Sequence, residues 1–173
     1  GTRTGKIFVD ALVCTQRTPF TIQAENQRKA KLFDNGTGSA VYIVDSAFIV
    51  IDGFYARSTD NSDATQGMPF RAVRAKDLTF KNLVGRNPNR FANVHVYSLE
   101  VVDRALIEDS EGYVWHRHCV RAHKATEVVV RRVYCNPRGG RIAGGFGLDQ
   151  GPVGTAGAVF SMYPCRDCIQ ENT

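Results

Sequence analysis

Six apolar anchors, Ile22, Ile51, Phe80, Ile107, Val130 and Ile169, recur along the chain at separations of 29, 29, 27, 23 and 39 residues. Ten positions before them stand Leu12, Val41, Phe70, Tyr97, Val120 and Val159; eight before, Cys14, Ile43, Ala72, Leu99, Ala122 and Ser161; two before, Phe20, Ile49, Leu78, Ala105, Val128 and Asp167. Across these four columns 22 of 24 residues are apolar, in a chain that is 43% apolar overall. One residue after the anchors come Gln23, Asp52, Lys81, Glu108, Arg131 and Gln170, none of them apolar.

Apolar residues at i and i+2 with polar residues between them are the pattern of strands that bury one face. Each repeat is therefore expected to hold two short strands joined by a turn near Asp45-Ser46, Lys76-Asp77 or Lys124-Ala125. Units of this length, without a helical period, cannot bury their inward faces alone and gain a core only by stacking. The expectation is an all-β chain: a parallel β-solenoid of about six coils over residues 1–173. The variable spacing maps to loops on one side, the longest a Gly/Pro-rich insertion at 136–157, "NPRGGRIAGGFGLDQGPVGTAG".

With 173 residues and 23% charged side chains the chain suits one domain and is not of disordered composition. Its longest apolar run, "AVYIVDSAFIVIDGF" at 40–54, is interrupted by Asp45 and Asp52, too short and too polar to span a bilayer. A secretory leader is not visible at its start. Net charge is +5, which favours an acidic partner. Five cysteines supply only one close pair, "CRDC" at 165–168, so no four-ligand zinc framework is present. That pair is open to reading as a redox motif, a local disulfide or two separate thiols. "NGT" at 35–37 is a glycosylation sequon.

The segments "TPFTIQAEN", "AVYIVDSAFIVIDGF", "VRAKDLTFKNL" and "VRAHKATEVVVRRV" resemble the early coils of right-handed parallel β-helix proteins of the pectate-lyase-like superfamily. Pro-Phe-Thr-Ile ahead of an Ile-Asp-Gly-Phe coil is most similar to polysaccharide lyase family six, the alginate lyase and chondroitinase B type. The resemblance implies a single-stranded right-handed β-helix that binds, or cleaves by β-elimination, an acidic polysaccharide. It implies a secreted, cell-surface or periplasmic location, and calcium as the cofactor. The acidic–lysine constellation of those lyases is not found in this sequence, nor are the signatures of polygalacturonase-like hydrolases, so no catalytic residue carries over.

On their own chemistry, Lys81, Glu108 and Arg131 are the catalytic candidates. Stacked on successive coils roughly 4.8 Å apart, they offer either a charged groove, with a cation for a uronate carboxylate and a partner for proton transfer, or a salt-bridge ladder that stabilises the stack. Asp109 and Arg132 repeat the choice one residue on. Arg71 and Arg121, sharing an outward column with Val13, Tyr42, Ser98 and Phe160, are candidates for binding acidic sugar, together with Arg138 and Arg141. Arg86 and Arg90 add to that rim.

The run "WHRHCVRAH" at 115–123 divides when set in register. His118 falls opposite His95, with His116 close by, a candidate trio for a metal or for acid–base work. His123 falls opposite Glu100, an imidazole–carboxylate contact. A second class of function is structural: a coil stack of a fibre, filament, adhesin or tail-spike, a fragment of a longer β-helix or one whose ends meet another copy. Nucleic-acid binding has only the basic charge in its favour.

Overall fold

The computed structural model describes residues 5–34, 38–58, 68–87, 95–113, 118–136 and 158–172. These residues form strands and turns wound as a right-handed parallel β-solenoid. Each turn has three faces, not the two that the apolar pattern suggested. The first face runs β1 (Ile7–Asp10), β4 (Val41–Val44), the start of β7 (Phe70–Lys81), the start of β9 (His95–Tyr113), β10 (His118–His123) and β12 (Ala158–Met162). The second runs β2 (Phe20–Gln23), β5 (Ala47–Asp52), the rest of β7, the middle of β9, β11 (Ala125–Asn136), then β13 (Cys165–Arg166) and β14 (Ile169–Glu171). The third runs β3 (Lys31–Phe33), β6 (Tyr55–Arg57), β8 (Val84–Arg86), then the ends of β9 and β11.

Three turns, 41–57, 70–86 and 95–113, are paired on both sides along all three faces and form the enclosed part of the solenoid. Six equivalent coils were expected; the outer repeats are not equivalent to these. In the first, Ile7 and not Leu12 lies opposite Val41, because the chain spends 14–19 on an extra excursion before Phe20 joins Ile49. In the last, Phe160 and not Val159 lies opposite Val120, and Ile169 pairs with Val129 instead of Val130.

The corners between faces are made by single left-handed residues stacked rung upon rung. Asp45, Arg74, Val101 and Lys124 turn the first face into the second; Phe48, Asp77, Arg104 and Glu127 follow just inside the second; Asn82, Asp109 and Arg132 lead into the third, with Gly53 ahead of them. A lone residue near φ +50° breaks the pleat and bends the chain, which is unfavourable for most side chains. Each corner column carries one two-pronged Arg–Asp clasp between neighbouring rungs: Arg74 donates to Asp45 at 2.7 and 2.6 Å, Arg104 to Asp77 at 2.6 and 2.8 Å, Arg132 to Asp109 at 2.6 and 2.8 Å. Because the fork of a guanidinium matches both carboxylate oxygens, these clasps help hold the corners in line.

Inside, Ile43, Ile49, Ile51, Phe70, Leu78, Phe80, Tyr97, Leu99 and Ile107 are fully buried, each contributing roughly 1.5–3 kcal/mol by leaving water. Phe70 stacks on Tyr97 with centroids 5.1 Å apart. The third face answers these large rings with a small-residue column, Ala56, Gly85, Gly112 and Cys135. A methyl group on Gly112 would stand 2.2 Å from the Sγ of Cys119, whose disulfide to Cys135 ties the first face to the third within one turn. Cys165 and Cys168 form the second disulfide, and Cys14 is the free thiol. Among the described residues no helix is long and apolar enough to cross a membrane. From the second repeat on, the segments of variable length join the end of the third face to the start of the first, whereas the first repeat also carries extra residues at 14–19 and at 24–30, on either side of β2. The Gly/Pro-rich insertion and the sequon at 35–37 lie outside the described residues.

Candidate functional site

A groove of about 500 Å³ runs along the outside of the second face. Its floor is the outward column of that face, Val50, Thr79, Leu106 and Val129, which are register neighbours. One wall is the left-handed corner column, Phe48, Asp77, Arg104 and Glu127. On the other side Arg131 borders the groove, the one member of the Asp52, Lys81, Glu108 and Arg131 column that lines it. Gln16 and Pro19, carried by the extra excursion of the first repeat, form a lip at one end. A turn holds that lip: the Thr18 N–H donates to the Thr15 carbonyl at 3.1 Å, and the two threonine hydroxyls lie 2.8 Å apart.

The cations at and beside the groove already have acidic partners. Lys81 Nζ lies 3.4 Å from Asp52, and Arg131 lies 2.8 Å from the same Glu108 oxygen that Arg132 reaches at 3.0 Å. Asp52 is buried beneath its donors, Gln23 at 3.0 Å and Asn82 at 2.8 Å. On the opposite wall, hydrogen bonding to Asp77 raises the Arg104 pKa above its ordinary value. Nearby Asp103 is held below the usual carboxylate range, first by the Thr126 hydroxyl donating to it at 2.6 Å and also by Lys76 and Arg104. An incoming anion therefore meets cations that already have partners, while the apolar floor is available to any ligand with a flat, non-polar surface.

Lys81, Glu108 and Arg131 thus stack on successive rungs as expected, in the ladder arrangement. Arg71 and Arg121 do not join them, because they stand on the first face, beyond a corner. The Arg71 guanidinium lies over the Tyr42 ring, 5.3 Å from its centroid, and 3.7 Å from Glu100. Their column also differs from the expected one at both ends: Phe8 replaces Val13 and Ser161 replaces Phe160, the consequence of the altered registers of the outer repeats. His118 pairs with His95 and His123 with Glu100, as expected. The first two rings are stacked, with centroids 5.1 Å apart, and His95 is buried. His116, Arg90, Arg138 and Arg141 lie outside the described residues, so the trio and the arginine rim are described only in part.

Among the described residues no three His, Cys, Asp or Glu side chains are placed to hold a metal ion. Asp77 in the groove and Asp52, Asp103 and Glu108 beside it are taken up by Arg, Lys, Asn or Thr donors, which leaves Glu127 alone too small a donor set for the calcium that the β-helix lyases suggest. Sequence reasoning missed the groove itself. Its signal was there, apolar Val50, Leu106 and Val129 at outward positions, but it lies outside the columns that identify a core. Comparison with protein-family models, with curated proteins and with solved structures gives no match.

Proposed function

We propose that this protein binds an acidic polysaccharide laid along the solenoid axis in the groove of the second face. The reading rests on one observation: a groove of about 500 Å³ that crosses several rungs, its floor of Val50, Thr79, Leu106 and Val129 bordered by Phe48, Asp77, Arg104 and Glu127 on one side and by Arg131 on the other. Sugar rings lie with their C–H faces on Phe48, Leu106 and Val129, and carboxylates share Arg104 and Arg131 with the Asp77 and Glu108 that already hold them. The net charge of +5 supports an acidic chain over a neutral one. Kinship with the pectate-lyase-like proteins, and the extracellular setting that goes with it, form part of the same proposal. Binding is favoured over cleavage, because Lys81 is engaged by Asp52 and Arg131 by Glu108.

Calorimetric titration with oligomers of galacturonate, alginate and chondroitin tests it. We expect binding to at least one, weakened by Phe48→Ala and Leu106→Asp, with no rise in ultraviolet absorbance from a new unsaturated uronate. An absorbance rise would assign cleavage to the site, and the absence of binding to every oligomer would sink the proposal.

A second reading, end-on self-association, is favoured by Phe8, Val13 and Phe20, which are 62%, 71% and 43% exposed on a repeat whose strands are paired on one side only among the described residues. Light scattering that shows a concentration-independent monomer would remove it.

A further inference from the structure

The third face carries an arrangement that departs from the charge logic of the rest of the solenoid. Where two charged side chains occupy paired register positions, their signs are opposite: Asp52 with Lys81, Lys81 with Glu108, Glu108 with Arg131, Lys76 with Asp103, Arg131 with Glu171. Among the described residues there is one exception, Arg57 opposite Arg86. These two side chains project from the same outward column on adjacent rungs, whose backbones lie roughly 4.8 Å apart along the axis. Neither forms an ion pair among the described residues, and Arg86 Nε is buried with no hydrogen-bond partner. Like charges directly opposite one another on a sheet are destabilising. A fold that pairs its charges elsewhere has here left two cations stacked.

Aromatic rings flank them on both sides. The column reads Phe33, Arg57, Arg86, Tyr113, Asn136, and beside it runs Lys31, Tyr55, Val84, Glu111, Tyr134. Phe33 leans on Tyr55 with centroids 6.5 Å apart, and Tyr113 on Tyr134 at 6.1 Å. Among the described residues of these two columns the carboxylate is Glu111, and it is occupied: Arg28 reaches it from the first repeat, and the Tyr113 hydroxyl donates to it at 2.6 Å. The two ring pairs are tilted by 56° and 61°, so neither pair makes a parallel slot, and they offer ring faces and edges to a sugar.

We propose that Arg57 and Arg86 form a second binding site for an acidic sugar, one that does not depend on the groove. The oxyanion of the sugar, a sulfate ester or a carboxylate, sits between the two guanidinium forks, and the sugar ring lies against Tyr113 and Tyr134 or against Phe33 and Tyr55. The bound anion removes the repulsion between the two arginines.

The test titrates the whole protein with a chondroitin sulfate tetrasaccharide, a galacturonate tetrasaccharide and inorganic sulfate, in wild type and in Arg57→Gln, Arg86→Gln, Arg74→Gln and Phe48→Ala. Losing one charge-assisted contact weakens binding by about tenfold or more. Arg57→Gln and Arg86→Gln are expected to show that loss for whichever tetrasaccharide binds, which also names the oxyanion, while Arg74→Gln, an equal change in net charge, is not. Without ligand at low salt, Arg57→Gln and Arg86→Gln are expected to melt no lower than wild type, because each relieves a like-charge contact. Unchanged tetrasaccharide binding in both variants, or a lowered unliganded melting temperature in both, overturns the proposal. Inorganic sulfate binding as tightly as the tetrasaccharides overturns the role of the rings. Loss in Phe48→Ala alone marks binding in the groove and counts against this site, whereas loss in Arg86→Gln alone does the reverse.

Discussion

Gly85→Ala probes the packing that lets the third face close. A methyl group at this position would lie 2.2 Å from Val96 Cγ1 and 3.1 Å from Phe70 Cε2. Carbon atoms prefer separations of roughly 3.5–4.0 Å, so one partner must move by more than about 1 Å. Neither partner has room: Val96 and Phe70 are both fully buried, valine is stiff about χ1, and Phe70 is held between Tyr97 at 5.1 Å and Phe80 at 6.2 Å. Overpacking of this kind costs roughly 1–3 kcal/mol. The unfolded-chain benefit of replacing glycine offsets only about 0.4–1 kcal/mol of it. A net loss of about 1.3 kcal/mol lowers the melting temperature of a chain this size by roughly 3–5 °C. Thermal and urea unfolding of the oxidised protein measure it. Val96→Ala alone opens a cavity and is also destabilising, but combined with Gly85→Ala it gives the new methyl its space. The double mutant is therefore expected to be at least about 1 kcal/mol more stable than the two single changes predict by addition. Strict additivity, or a Gly85→Ala protein within about 0.5 kcal/mol of wild type, would refute the reasoning.

The corner clasps give a pH dependence. The Asp45 carboxyl is held below its usual range by Arg74 and that of Asp109 by Arg132. For a depressed folded pKa the stabilisation is complete above the unfolded value of about 3.9 and is lost as pH falls through the folded value. Circular dichroism melts between neutral pH and acid should show this loss below about pH 4, and Asp45→Asn with Asp109→Asn should flatten it; an unchanged acid limb would count against the clasps. Glu111, accepting the Tyr113 hydroxyl, pushes that phenol up to about 12; Glu111→Gln should bring its ultraviolet titration back toward the ordinary tyrosine range, and no change would mean the contact is not made. Thiol assay of the denatured, unreduced chain should find one reactive cysteine, Cys14. Reducing the Cys119–Cys135 bridge should cost about 3 kcal/mol, as for a loop of its length; two or more thiols before reduction would show that a bridge is absent.

Particular residues show how far the sequence alone reached. The anchors from Ile51 to Val130 pair with one another in the expected register, and with them His118 opposite His95 and Glu108 between Lys81 and Arg131. This follows from the period of two: once inward residues must be apolar, a slip of one residue would expose the whole set. The same logic failed where the pattern is degenerate. Val159 and Phe160 are both apolar, so the last repeat fits either phase, and Leu12 lies 29 residues before Val41 only because an excursion at 14–19 happens to fill the interval. The third face escaped notice because its inward column is Ala56, Gly85, Gly112 and Cys135, small residues whose meaning appears only when Phe70, Val96 and Cys119 are seen to fill the space.

The apolar alternation by itself determined that the chain stacks as parallel coils, because no other arrangement buries those columns together. It also determined which charges become neighbours across rungs within the enclosed turns. The tertiary structure decided where the chain bends, since left-handed corners at Phe48, Val101 and Arg132 leave no mark in the local sequence. It therefore also decided which faces exist, putting Arg71 and Lys81 on different sides of a corner, opening the groove, and setting Arg57 over Arg86. Burial is a property that each residue carries in its side chain; a site depends on the directions in which several side chains point, and those directions are set by the corners.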